Sequence, residues 1–248
     1  MLSSLAPAQL APSPLDWSRG VLAACQTEVR VFGLEHWPGG SAIVACNHRS
    51  ILDPFVVMTA LGLPVRFACH YYMTQVPGLR EAIAQLDCLP LGRSKRQQVE
   101  FFRQAETCLQ THAAIGVFPE GVDSMTVHRQ PHRMAAFHRG FAHMALRSRI
   151  TPLPIVPIAI CPRQEYRAPD LPLALFRWFD PTEPSFRGDG AHPIVMYREV
   201  DVNIAPPIWV TERDRQPQTG QDMTELSLRL ASRTRGRLLE RIYGEPTA

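Results

Sequence analysis

Three short apolar runs, two of which stop abruptly in polar residues, constrain this chain more than any other feature. Ser41 to Cys46 (SAIVAC) ends at Asn47-His48, Ala113 to Phe118 (AAIGVF) ends at Pro119-Glu120-Gly121, and Ile155 to Ile160 (IVPIAI) lies further on. Runs this short and this rich in Ile, Val and Ala are the length of strands, and their unbroken hydrophobicity is that of strands buried on both faces of a sheet. Between them lie segments with helical spacing: a helix with Asp53-Pro54 as cap and first-turn pair and Phe55 to Leu61 as its body, Val76 to Ala84, Gln97 to Gln110 with Val99, Phe102, Ala105 and Leu109 on one face, and His138 to Arg147. Val65 to Cys69 and Cys88 to Leu91 read as further strands, Ile194 to Val200 and Val202 to Ile204 as edge strands, and Met223 to Tyr243 as a closing helix. Strands alternating with helices predict an α/β fold, a single layered domain with a largely parallel central sheet flanked by helices.

The N-terminal residues 1–16 read as a flexible arm, and residues 17–248 as the domain. Trp17 to Val31 reads as a loose amphipathic helix. The start of the chain has no basic segment and is broken by prolines, unlike a secretory signal. Phe55 to Val65 and Ile150 to Pro162 are the longest uncharged apolar stretches, well short of the roughly 20 residues needed to cross a bilayer. A net charge of +3 with no Lys/Arg run argues against a nucleic-acid partner. The 6 cysteines are scattered without a C-x-x-C pair, which fits buried thiols in a reducing compartment better than disulfides or zinc. His128, His132, His138 and His143 are dense, but Pro131 interrupts their spacing and no Cys or acidic partner accompanies them, so no metal site is expected.

In a parallel sheet, ligands bind where strands end and loops begin. Asn47-His48-Arg49-Ser50-Ile51-Leu52-Asp53 lies at such a point. A carboxylate five residues after a histidine can hold one ring nitrogen and leave the other free to accept a proton. Equally, His48 reads as a capping or surface histidine and Asp53 before Pro54 as a helix cap, and the spacing alone does not separate these readings. Glu120 and Gly121 sit on a tight turn after a strand, which could be only a turn. Arg93, in Leu89 to Lys95 (LPLGRSK), suits bidentate binding of a phosphate, or is part of a solvated basic loop. No G-x-S-x-G elbow, P-loop or dinucleotide fingerprint is present.

Taken in order, NHRSILD, PLGRSK, VFPEG and IVPIAI resemble the signature blocks of the glycerolipid acyltransferase family, and FHRG at Phe137 to Gly140 resembles a further segment of it. The resemblance covers Leu34 to Ile160 and continues weakly into Ala205 to Ile208. It implies an enzyme that moves a fatty acyl group from acyl-CoA or acyl carrier protein to a lysolipid hydroxyl, such as that of 1-acylglycerol-3-phosphate, in phospholipid biosynthesis. His48 and Asp53 would be catalytic, with Asn47, Arg93, Glu120, Gly121 and Arg139 binding substrate. Backbone N–H groups near a helix start would hold the oxyanion. No metal or bound cofactor is implied, and the partners would be the thioester, the acceptor and a membrane surface, with the protein cytoplasmic and peripheral. Relatives carry an Arg two residues after the F-P-E-G glycine, where this chain has Asp123. An acidic side chain there repels phosphate, which keeps open a phosphate-free acceptor such as a lyso-aminolipid or lipid alcohol, or a silent lipid-binding relative.

Overall fold

The computed structural model describes residues 12–121, 134–172, 177–178, 191–216 and 223–243. Among these, eight strands form one sheet: β1 (Glu28–Phe32), β2 (Ala42–Cys46), β3 (Val65–His70), β4 (Leu89–Leu91), β5 (Ala114–Val117), β6 (Leu153–Pro172), β7 (Ala191–Ile204) and β8 (Ile208–Val210). Their order is β1-β7-β6-β2-β5-β3-β4, with β8 paired to β6. Every neighbouring pair is parallel except β6 with β7 and β6 with β8. Helices α1 (Pro14–Ala24), α2 (Asp53–Leu61), α3 (Leu79–Gln85), α4 (Lys95–Gln110), α5 (Gly140–Arg147), α6 (Glu212–Arg215) and α7 (Met223–Tyr243) complete the described elements.

The unbroken apolar run of β2 is explained by its position. Ala42, Val44 and Cys46 pack into a core shared with α2, while Ile43 and Ala45 point to the opposite face and pack with residues of α4 and α5. Both faces are covered, so alternation with polar residues has no place.

Connections leave the two central strands in opposite directions. From β2 the chain runs through α2 to β3 on one side; from β5 it runs through α5 to β6 on the other. The carboxyl ends of β2 and β5 therefore flank a topological switch point, the place where open α/β sheets bind ligands. Register sharpens this. Ala45 pairs with Val117, so His48 and Glu120 each lie three residues past a paired position.

Several local expectations are corrected. Helix α1 starts at Pro14, inside the expected arm, because Ser13 and Asp16 form a capping box: Ser13 Oγ accepts from the Asp16 backbone N–H at 3.2 Å and the Asp16 carboxylate accepts from that of Ser13 at 3.0 Å. It ends at Ala24, where Gln26 takes a left-handed φ of 52° and the chain turns into β1, so Trp17 to Val31 is not one helix. On α4 the buried face is Phe101, Ala105, Cys108 and Leu109; Val99 is 68% exposed and Phe102 39%. The strands read as edges at Ile194–Ile204 are one strand, β7, lying inside the sheet between β1 and β6. β6 also runs far beyond Ile160. Its prolines look like breaks in the sequence, but the β6–β7 ladder absorbs irregularities by register shifts at Pro162/Gln164, Gln164/Glu165 and Ala168/Leu171.

Candidate active site

The turn between β2 and α2 is organised by one carboxylate. Asp53, the first residue of α2, is fully buried. Its Oδ2 accepts from His48 Nδ1 at 2.8 Å, from the Arg49 backbone N–H at 2.7 Å and from that of Ser50 at 2.8 Å. Its Oδ1 accepts from the Tyr197 hydroxyl at 2.8 Å. A carboxylate surrounded by donors accepts the ring hydrogen too, so Nδ1 of His48 carries it and Nε2 presents the lone pair. The expected cap role of Asp53 is thus replaced: Leu52 is the N-cap residue, and Asp53 reaches back to hold the preceding turn. That hold also removes the Arg49 and Ser50 N–H groups as oxyanion donors, since both point at Asp53.

The ring plane of His48 is set from the other side. Its imidazole stacks on Phe118, with centroids 3.9 Å apart and planes at 13°. Phe118 in turn stacks on Phe67 at 5.0 Å. Phe67 reaches that place because Gly116 on β5 has no side chain; a Cβ there would come within 2.3 Å of the Phe67 ring. The strand Ala-Ile-Gly-Val is therefore shaped for the aromatic pair above it.

Glu120, 3% exposed, ties the two strand ends together. Its Oε1 accepts from the His48 backbone N–H at 3.2 Å and its Oε2 from that of Ala135 at 2.7 Å. Gly121 follows with φ at 68°, and a Cβ there would press on the His138 ring at 3.0 Å. Both the backbone turn and the room for His138 call for glycine.

The model of the Acyltransferase family matches residues 28–161, which include the turns that carry His48, Asp53, Phe118, Glu120 and Gly121 but not Tyr197. The chain belongs to the Acyltransferase family. It is 30% identical over 135 residues to the 1-acyl-sn-glycerol-3-phosphate acyltransferase of Saccharomyces cerevisiae, covering 54% of this chain and 43% of that protein. Against the protein of the same name from Pseudomonas aeruginosa it is 28% identical over 146 residues, covering 58% and 52%. The chain thus spans about half the length of these curated relatives. The solved structure of the 1-acyl-sn-glycerophosphate (LPA) acyltransferase PlsC from Thermotoga maritima has a similar fold, with a TM-score of 0.57 over 95% of this chain and 80% of that one, at 18% identity.

In this acyltransferase domain the expected site residues fall into two groups. His48, Asp53, Glu120 and Gly121 converge at the switch point. Asn47 adjoins them, but its amide is turned into the sheet: Nδ2 donates to the Ile160 carbonyl at 2.9 Å and Oδ1 accepts from the Ile160 N–H at 2.8 Å. This extends the β2–β6 ladder by one side chain and leaves Asn47 5% exposed. Arg93 stands just past the carboxyl end of β4, with β3 between it and β5, about 10 Å away at the usual strand spacing. Arg139 is exposed at the start of α5. Asp123, His128 and His132 lie outside the described residues.

Sequence reasoning missed Phe118 as a ring support, although it lies within VFPEG. It also missed Tyr197 and Ser50, whose hydroxyl donates to the Val195 carbonyl at 2.6 Å and accepts from the Leu52 N–H at 3.0 Å. For Tyr197 there was no sequence signal, since its partner is set by sheet register alone.

Proposed function

We propose that this chain transfers a fatty acyl group from an acyl thioester, acyl-CoA or acyl carrier protein, to the hydroxyl of a lysolipid, with 1-acylglycerol-3-phosphate as the leading acceptor. The observation that carries this reading is a histidine whose Nδ1 is held by a buried carboxylate, so that Nε2 presents the lone pair, in a chain of the Acyltransferase family. Nε2 takes the proton of the acceptor hydroxyl as its oxygen attacks the thioester carbonyl carbon. The C–O bond forms, the tetrahedral intermediate collapses with loss of the C–S bond, and the departing thiolate takes the proton from His48. Asp53 stabilises the imidazolium in between. Proton and acyl group balance without a metal or bound cofactor, and the thioester is a co-substrate. Glu120 holds the backbone of the site, and Arg93 and Arg139 are candidates for the anionic group of either substrate. The relatives' names support the phosphate-bearing acceptor; Asp123 supports the second reading, an acceptor without phosphate.

His48→Ala should lower acyl transfer by about 10²–10⁴-fold without unfolding the protein. The measurement is thiol release from acyl-CoA, with 1-acylglycerol-3-phosphate and a lyso-aminolipid as competing acceptors. Wild-type rates in His48→Ala would refute the mechanism.

Both substrates carry long acyl chains, so the reading includes peripheral docking on a membrane. Among the described residues no helix is long and apolar enough to cross one. Leu171 to Phe179 is a candidate interfacial segment, with residues 173–176 and 179 outside the described residues and Trp178 81% exposed. Trp17 on α1, 41% exposed, is a second contact point. A Leu175→Asp, Phe176→Asp, Trp178→Asp variant should pellet less with anionic vesicles than wild type; full pelleting would exclude the segment.

A further inference from the structure

The β6–β7 hairpin runs past the carboxyl end of β2. β2 pairs with β6 only from Ile43↔Ile155 to Cys46↔Ile158, whereas β6 and β7 stay paired out to Pro172↔Ala191. The projecting arm lies against the His48–Asp53 turn and touches it at three points. Glu165 on β6 forms an ion pair with Arg49, the Val195 carbonyl on β7 accepts from Ser50 Oγ, and the Tyr197 hydroxyl donates to Asp53. Glu165 and Tyr197 are register partners, so the ion pair and the phenol act from one rung of the ladder. Of the three, only the phenol touches the carboxylate that holds His48.

Tyr197 is fully buried, and a Phe there would fill the same space. What the hydroxyl adds is a donor for Oδ1 of Asp53, a fully buried carboxylate. Burial and the neighbouring Asp53 charge push the phenol well above the ordinary tyrosine range, so it remains a neutral donor at any working pH. Each hydrogen bond to a carboxylate stabilises its charge and reduces its pull on the remaining donors. Here the remaining side-chain donor is His48 Nδ1–H.

We propose that Tyr197 is a positioning residue of the proposed acyl transfer: through Asp53 it limits the proton affinity of His48 and fixes the orientation of its ring. Without the phenol, Asp53 concentrates its charge on His48 Nδ1–H, and the imidazolium is held more tightly.

The role in transfer rests on the proposed function, so the test includes a readout that needs no substrate. Diethyl pyrocarbonate acylates neutral imidazole, and mass spectrometry locates the product on His48. The acid limb of its rate against pH should lie at higher pH in Tyr197→Phe than in wild type. In the transfer assay, kcat should fall about ten- to a hundred-fold, the scale of a hydrogen bond to a charged group, with KM close to wild type. Ser50→Ala, which removes one of the three contacts between arm and turn and keeps the backbone N–H that Asp53 accepts, should lower the melting temperature and leave the acid limb in place. If Tyr197→Phe does not fold, 3-fluorotyrosine at position 197, a stronger donor, should move the limb the other way. Superimposable limbs for folded Tyr197→Phe and wild type, or an equal shift in Ser50→Ala, would overturn the inference. A limb that moves in a protein without acyl transfer would overturn the proposed function instead and leave the coupling standing.

Discussion

His48 lies flat on Phe118, with ring centroids 3.9 Å apart and planes only 13° from parallel. A hydrogen bond from Nδ1 fixes one point of an imidazole but leaves rotation about that bond; a stacked ring removes it. The two constraints come from different strands, Asp53 following β2 and Phe118 following β5, so the adjacency of these strands is what makes a rigid base possible.

Phe118→Ala should therefore lower kcat by roughly ten-fold, because the ring loses orientation and not chemistry. KM should stay near wild type. Removing a half-buried aromatic that joins two others should also cost about 1–3 kcal/mol of stability. Steady-state kinetics and thermal melts on the same preparation check both, and an unchanged kcat would assign Phe118 to packing alone.

Asp53→Asn should fold, and its loss should come from charge more than from tautomer. All three donors of the turn use Oδ2, and among the described residues the one hydrogen-bond partner of Oδ1 is the Tyr197 hydroxyl. The introduced amide can aim its oxygen at the turn and its NH₂ at Tyr197, whose oxygen accepts as well as donates. In a Tyr197→Phe background the same NH₂ is buried without a partner, which should cost a further 1–3 kcal/mol or so. Chemical denaturation of the four proteins in the cycle tests this. Additive losses would show that the amide does not turn its NH₂ to Tyr197.

How far these groups were legible depends on the range over which they are arranged. His48 and Asp53 share one turn, so their partnership follows from a spacing of five residues. Glu120 is legible because two buried runs end in polar residues, and parallel register brings their ends together. Tyr197 lies 144 residues from Asp53 and meets it only through the β6–β7 ladder. That ladder is not legible in the sequence, because prolines at 162, 169 and 172 ordinarily interrupt strand pairing, and here register shifts accommodate them. On α4, two overlapping apolar stripes exist, and only the sheet decides that Phe101 and not Phe102 turns inward. The Ser13–Asp16 box has the S-x-x-D pattern of a helix start, which places the end of the arm before Pro14.

Asn47 was expected beside the substrate, and its amide geometry predicts a different phenotype. Asn47→Ala leaves the Ile160 N–H and carbonyl buried without partners, at about 1–3 kcal/mol for each group not reached by water. The folded fraction should retain KM values near wild type for both substrates. A variant of normal stability with a raised acceptor KM would return Asn47 to substrate binding.

The final prediction separates the two acceptor readings through Arg93 and Asp123. Arg93 stands at the same carboxyl edge of the sheet as His48, at the end of β4, so an acceptor bound by both would lie across the ends of β3 and β5 with its hydroxyl facing Nε2. A guanidinium binds a phosphate through two parallel charge-assisted bonds, each short and directional. If the acceptor carries a phosphate, Arg93→Ala should raise its KM by about ten- to a hundred-fold and leave the KM for acyl-CoA close to wild type. Arg93→Lys should fall between, because it keeps the charge and loses the fork. Asp123→Arg should lower the KM for the same acceptor by removing a like charge. The three variants are to be assayed with 1-acylglycerol-3-phosphate and with a lysolipid lacking phosphate at matched acyl length. Acceptor kinetics unmoved by all three, together with faster turnover of the phosphate-free lipid by wild type, would reject the phosphate-bearing acceptor and leave the His48 mechanism untouched.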